Sequence, residues 1–120
     1  MRINTLKRNK EFRYVYGRGN SLTTRNLVLV FLKRKSGGLR PGFSISKKIG
    51  GAVERNRLRR QLKAAYQEIL KKYTVGNYHI IFIARQPIRE AKFETMLRDM
   101  KTLMKQSGIL GQKIPHGNKD

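Results

Sequence analysis

The chain has 120 residues, with 28 lysines and arginines against seven acids, a formal net charge of +21 and a pI of about 11.2. That length fits one domain, residues 1–120, with one real core, and that charge points to a polyanionic partner, because a compact chain this basic otherwise repels itself. There is no cysteine, which excludes disulfides, thiolate metal sites and cysteine nucleophiles. No apolar run approaches the ~18 residues of a membrane span, and the N-terminus lacks a signal peptide's apolar segment. The expectation is a soluble, cytoplasmic protein with no membrane partner.

Residues 1–8 are basic and predicted to be mobile. Asn9 is a candidate N-cap for a short helix over Lys10–Tyr16, where Phe12, Val15 and Tyr16 form one apolar stripe and Gly17 and Gly19 end it. Ser21–Thr24 is a weak strand. Leu27–Leu32, LVLVFL, is a strong one that reads as covered on both faces. The turn residues KRKSGGLR suggest a hairpin into a strand over Gly42–Lys47, with Phe43 and Ile45 on one side and Ser44 and Ser46 on the other. Pro41 confines that strand to an edge or a bulge.

A long amphipathic helix is predicted from Ala52 to Tyr73. Leu58, Leu62, Ala65, Tyr66, Ile69 and Tyr73 share one side at about 100° per residue. Arg59, Arg60, Lys63 and Asn56 lie beside that stripe, with Arg57 further round. Arg55 falls at its edge but nearly a turn before Leu58, so it projects past the end of the core. Val75–Asn77 reads as a turn and Tyr78–Ala84, YHIIFIA, as a buried strand closed by Arg85–Pro87. A second amphipathic helix runs from about Arg89 to Lys105, with Met96, Met100 and Met104 as core filling. Gly108 and Gly111 end the order, leaving a core of about residues 8–107 and a flexible tail. The order of elements, helix, two or three strands, long helix, strand, helix, makes an α+β or α/β single-domain α-β sandwich with helices packed on one sheet.

The stretch Lys47–Lys63, KKIGGAVERNRLRRQLK, contains one acid, Glu54, among seven cations. Cations in a helix's first turns oppose its dipole and one another, so stability alone would not select them. A polyanion lying across the helix start and the guanidinium groups offsets both costs. Only Glu11, Glu54 and Glu68 among the acids precede residue 89, so the polyanion should meet the first three quarters of the chain. Carboxylate pairs, zinc spacings and nucleotide loops are missing from the sequence, and the two histidines, His79 and His116, are far apart. Catalytic residues are therefore not assigned.

Phe43–Gly50, FSISKKIG, followed by Ala52-Val53 and by Arg55-Asn56-Arg57-Leu58-Arg59-Arg60, resembles the signature of the bacterial ribonuclease P protein subunit. Its RNR motif stands here as Arg55-Asn56-Arg57. The first helix, with Phe12 and Tyr16 at its aromatic positions, and Tyr78–Ala84 with Arg85 and Pro87 extend the similarity over roughly residues 5–105. The resemblance implies an α-β sandwich with a left-handed βαβ crossover, against the usual hand. It implies a partner, the ribonuclease P catalytic RNA, whose magnesium ions serve the cleavage that removes the 5′ leader from precursor tRNA. It implies no cofactor held by the protein. The RNA-binding set carried over is Lys47, Lys48, Arg55, Asn56, Arg57, Arg59, Arg60 and Lys63. The 5′-leader cleft would be lined by Phe12, Tyr16, Val28, Val30 and Ser44. Val30 stands where the family often has an aromatic, and Lys63 where it often has arginine.

Composition alone fits a ribosomal-type RNA-binding protein equally well; the combined SKK and RNR pattern separates the two. A DNA-compacting protein would be expected to carry a helix-turn-helix or β-arm, which the sequence lacks, so DNA is not an expected partner.

Overall fold

The computed structural model describes residues 5–115. In chain order the elements are α1 (Asn9–Arg18), β1 (Asn20–Thr23), β2 (Leu27–Lys33), β3 (Leu39–Ser44), α2 (Ala52–Leu70), β4 (Tyr73–Val75), β5 (Tyr78–Ala84), a 3-10 turn (Gln86–Glu90), α3 (Phe93–Gln106) and β6 (Leu110–Lys113). The mobility expected of the extreme ends concerns residues 1–4 and 116–120, which lie outside the described residues, as does His116.

Four strands form one sheet in the order β1-β2-β5-β3. β5 runs antiparallel to β2 and parallel to β3, so the β3–α2–β5 connection is a crossover. The alternation in β5 explains the two cores. Ile80, Phe82 and Ala84 face α2 and α3, while Ile81 and Ile83 face α1. The larger core joins Leu27 and Leu29 of β2 to Leu58, Leu62, Tyr66 and Ile69 of α2 and Met96, Met100 and Met104 of α3. The methionines fill space, as their spacing suggests. Tyr66 sits edge-on to Phe43 and Phe82 at 6.0 and 6.4 Å, and burial pushes its phenol pKa up. Burying each such side chain contributes about 1.5–3 kcal/mol.

The expected hairpin between the second and third strands does not form, because β5 lies between them. Asn77 shows why. Its carbonyl accepts from the Arg34 amide at 2.8 Å and its side-chain oxygen accepts from the Gly38 amide at 2.8 Å. The loop between β2 and β3 turns through Gly37 and Gly38, both at positive φ, and holds the strands far enough apart to admit β5. β3 also starts and ends earlier than Gly42–Lys47. Its place at the sheet edge accommodates Pro41, whose carbonyl accepts from the Leu6 amide at 2.8 Å.

Both ends of the packed structure reach beyond residues 8–107. Leu6 is buried beside Val15, Val30 and Ile81. At the other end, Gly108 at positive φ turns the chain out of α3, and β6 pairs with β4 where a turn and a tail were expected. Buried Ile109 anchors that excursion. α2 stops at Leu70, short of Tyr73, because Tyr73 enters β4. α1 encloses Gly17 and begins at Asn9, with Glu11 rather than Asn9 satisfying the free amides of Lys7 and Arg8 at 3.0 and 3.3 Å.

One buried polar pair pins α3 to the sheet. Asn26 Nδ2 donates to Asp99 Oδ2 at 2.8 Å, and Thr24 Oγ1 donates to the same oxygen at 3.3 Å. Asp99→Ala strands the Asn26 amide and should cost about 2–3 kcal/mol in urea unfolding. A loss below ~0.5 kcal/mol would show that this pair does not hold the helix.

Candidate nucleic-acid interface

The parallel strands β3 and β5 end at one rim of the sheet, and the cationic stretch gathers there. From β3 the chain passes through residues 45–51 into α2; from β5 it passes through Arg85 into the 3-10 turn. The two routes are tied together. Gln86 Nε2 donates to the Lys48 carbonyl at 3.2 Å, and Arg89 Nε donates to Glu54 at 3.3 Å.

Lys47 and Lys48 are exposed because Ile45 and Ile49 on either side are anchored in the core, at 6% and 2% exposure. The Ile49 amide donates to the Ser46 carbonyl at 3.0 Å, which closes the turn between the anchors. α2 begins after Gly51 with no side-chain cap. Its first amides are thus left to solvent or to an anion. The stripe of Leu58, Leu62 and Tyr66 fixes the rotation of the helix. Asn56, Arg57 and Arg60 are exposed, and Arg59 and Lys63 are half-buried.

The RNR residues differ in their duties. Arg55 Nε donates back to the Gly50 carbonyl at 3.1 Å and braces the corner between loop and helix. Asn56 Oδ1 accepts from Arg59 Nη1 at 3.3 Å, so Asn56 steadies Arg59. Arg57 Nη1 donates to Gln61 at 3.2 Å, and its Nη2 lies 3.8 Å from Glu54. Glu54 is shared between Arg57 and Arg89, while Lys47, Lys48, Arg60 and Lys63 pair with no acid among the described residues.

The other face of the sheet carries α1. Strand register sets Thr23, Val28, Ile83 and Ser44 in one row across all four strands. Val28, Ile83 and Ser44 in that row remain half-buried, next to the flank of α1 that bears Phe12 and Tyr16, whose rings are 6.4 Å apart. The row lies at the end of the sheet nearest the rim that carries Lys47 and Lys48. Gly42 lets α1 come this close: a side chain there would begin 2.6 Å from the Phe12 ring. Val30, expected to line the leader cleft, is not in this row. It lies in the next row, 7% exposed, beneath α1 and against Gly19, where it supports the helix. Ile83 is the half-buried β5 residue beside Val28 and Ser44. The signal for Ile83 was present in the alternation of His79, Ile81 and Ile83 along one strand.

Glu11 clamps α1 to the edge strand. Its second oxygen accepts from Arg40 Nη1 at 2.9 Å, and Arg40 Nη2 donates to the Thr5 carbonyl at 3.1 Å. Hydrogen bonds from the Lys7 and Arg8 amides, then the Arg40 guanidinium, hold the Glu11 carboxyl down at about 2. Among the described residues, no three His, Asp or Glu side chains come together as a metal site, and no helix is long and apolar enough to cross a membrane.

A model of the Ribonuclease P family matches residues 1–108. The chain belongs to the ribonuclease P protein family. Members of this family are the protein subunit of an endoribonuclease that processes tRNA. The ribonuclease P protein component of Clostridioides difficile is 40% identical over 108 residues, which is 90% of this chain and 95% of that protein. The fold is similar to the RNase P protein of Staphylococcus aureus, with a TM-score of 0.81 at 26% identity, covering 92% of this chain and 100% of that one. It is also similar to the RNase P protein from Thermotoga maritima, with a TM-score of 0.77 over 85% of this chain and 96% of that one; at 23% identity this likeness concerns the fold alone.

In this ribonuclease P family member the Glu11 clamp has a testable pH signature. Folding lowers the Glu11 pKa from 4.5 to about 2, so its contribution is fully present above pH 4.5 and is lost as the pH falls toward 2. Glu11→Gln should cost about 1–2 kcal/mol at pH 7, and the gap from wild type should close near pH 2. An undiminished gap at pH 2 would rule out the charged clamp.

Proposed function

We propose that this chain binds the catalytic RNA of ribonuclease P through the rim formed by Lys47, Lys48 and the first turns of α2. On this reading it holds the single-stranded 5′ leader of precursor tRNA in the cleft beside Phe12 and Tyr16. The catalytic RNA, with its magnesium ions, carries out the hydrolysis. The protein supplies position and charge. The observation that carries the reading is continuity: the half-buried row of Val28, Ile83 and Ser44 ends at the same sheet end as a cationic corner whose one acid, Glu54, is shared by two arginines.

Each residue has a physical task in this scheme. Lys47, Lys48, Arg57, Arg59, Arg60 and Lys63 attract phosphates, and the free amides at the start of α2 add donors on the same side. Arg55 keeps its Nε on Gly50 and leaves the outer nitrogens for a phosphate. Asn56 holds Arg59 in place, which reduces the side-chain ordering needed on binding. In the cleft, Phe12 and Tyr16 offer rings for bases, Val28 and Ile83 an apolar floor, and Ser44 a hydroxyl. A single strand fits such a surface better than a duplex, whose bases are stacked away.

Arg57→Ala should weaken binding to the catalytic RNA about 5- to 10-fold and flatten the salt dependence by about one counterion. Arg98→Ala should change both far less, since Arg98 lies on α3 rather than on α2 and is 3.7 Å from Asp99. Equal losses in a titration against the catalytic RNA would reject the α2 surface. Tyr16→Ala should weaken binding of leader-bearing precursor tRNA by about 1–3 kcal/mol and leave mature tRNA unaffected. The comparison is made with the assembled RNA–protein complex; equal weakening on both substrates would remove the leader from the cleft.

A further inference from the structure

α1 has two flanks, and the proposed leader cleft uses one. On the other lies a second groove of about 730 Å³, lined by five cations and a single acid, Glu11. That acid is already engaged by Arg40 and by the Lys7 and Arg8 amides. The groove sits at the opposite end of the strands from the rim, where β2 finishes at Lys33 and β5 begins at Tyr78. At its centre is Tyr14, 45% exposed, with the Arg18 and Arg34 guanidiniums over its ring at 5.2 and 5.7 Å. Neither arginine has an acid partner among the described residues. A smaller groove, about 330 Å³, shares Arg34 with it and adds Lys33 and Lys35.

We propose that this groove is a second RNA site, which takes a short single-stranded segment with one base stacked on the Tyr14–guanidinium assembly and its phosphates on Lys10, Arg18, Arg34 and Lys35. Bringing two guanidinium groups onto one tyrosine costs like-charge repulsion, which a phosphate between them removes. Planar rings and guanidiniums are the surfaces on which unpaired bases stack. The larger groove is of nucleotide size, within the ~300–1,000 Å³ usual for ligand sites. The second groove on the far side of Arg34, with Lys33 and Lys35, offers cations for a neighbouring phosphate, which a site for a free nucleotide would not need. His79 closes one side. Burial, then Arg34 and Arg40, hold its pKa below the ordinary histidine range, with Glu11 opposing. A neutral imidazole there offers one donor and one acceptor to a base or ribose. The site is independent of the leader reading, because it lies on the opposite flank of α1.

The test uses the full chain carrying Tyr16→Ala, which disables the proposed cleft, and a fluorescent oligouridylate about eight residues long. In that background Arg34→Ala and Tyr14→Ala should each weaken binding at least about five-fold, and Tyr14→Phe should preserve it. Lys92→Ala, an exposed cation on the far side of the fold, should have little effect. Bound oligouridylate should raise the His79 midpoint in an NMR titration, since phosphate offsets Arg34 and Arg40. Equal losses for Lys92→Ala and Arg34→Ala, or an unmoved His79, would overturn the site. The same variants are then titrated against catalytic RNA and precursor tRNA separately. A loss against either one supports the site and identifies the source of the segment. A loss against neither overturns it.

Discussion

The pairing of β5 between β2 and β3 is the constraint on which the rest of the molecule depends. It splits one strand's side chains between two cores, Phe82 toward α2 and Ile81 toward α1. It sets Val28, Ile83 and Ser44 in one row. Because β5 is parallel to β3, both strands deliver their following loops to the same rim, as open sheets with parallel strands commonly do at ligand sites. Asn77 commits its carbonyl and its side chain to opposite neighbours, which makes the insertion specific rather than merely permitted.

Charge is arranged around that frame with little internal compensation. Glu54 serves two arginines and Glu11 one, and both acids also fix local geometry. The backbone positions of the remaining cations are fixed by packing of their neighbours: Ile45 and Ile49 flank the lysines, the apolar stripe anchors α2, and Val15 anchors α1. The backbone that bears these charges is therefore ordered before a polyanion arrives, which lowers the ordering cost of binding. It also makes association fast and strongly dependent on salt.

The helices and the cationic corner were legible in the sequence because they rest on local signals. Leu58 to Ile69 keep helical spacing whatever lies across the sheet, and the cations of α2 are fixed to the same helix. Strand pairing was not legible. KRKSGG reads as a hairpin turn, and nothing local reveals that a strand forty residues later will separate β2 from β3. The short β4–β6 pair was hidden for a similar reason: Leu110–Lys113 carries three exposed residues and gains order only from β4 and from Ile109. Val30 and Ile83 show the same limit at the site itself. Both alternate correctly toward α1, but only the tilt and closeness of α1, allowed by Gly19 and Gly42, decide which of them is covered.

The most direct test of the account is precursor-tRNA cleavage by bacterial ribonuclease P RNA at low magnesium, with and without this protein, alongside the protein alone. A chain that lends charge and substrate contacts should restore cleavage only when the RNA is present. Cleavage by the protein alone, or no stimulation alongside tight binding to ribosomal RNA, would contradict it.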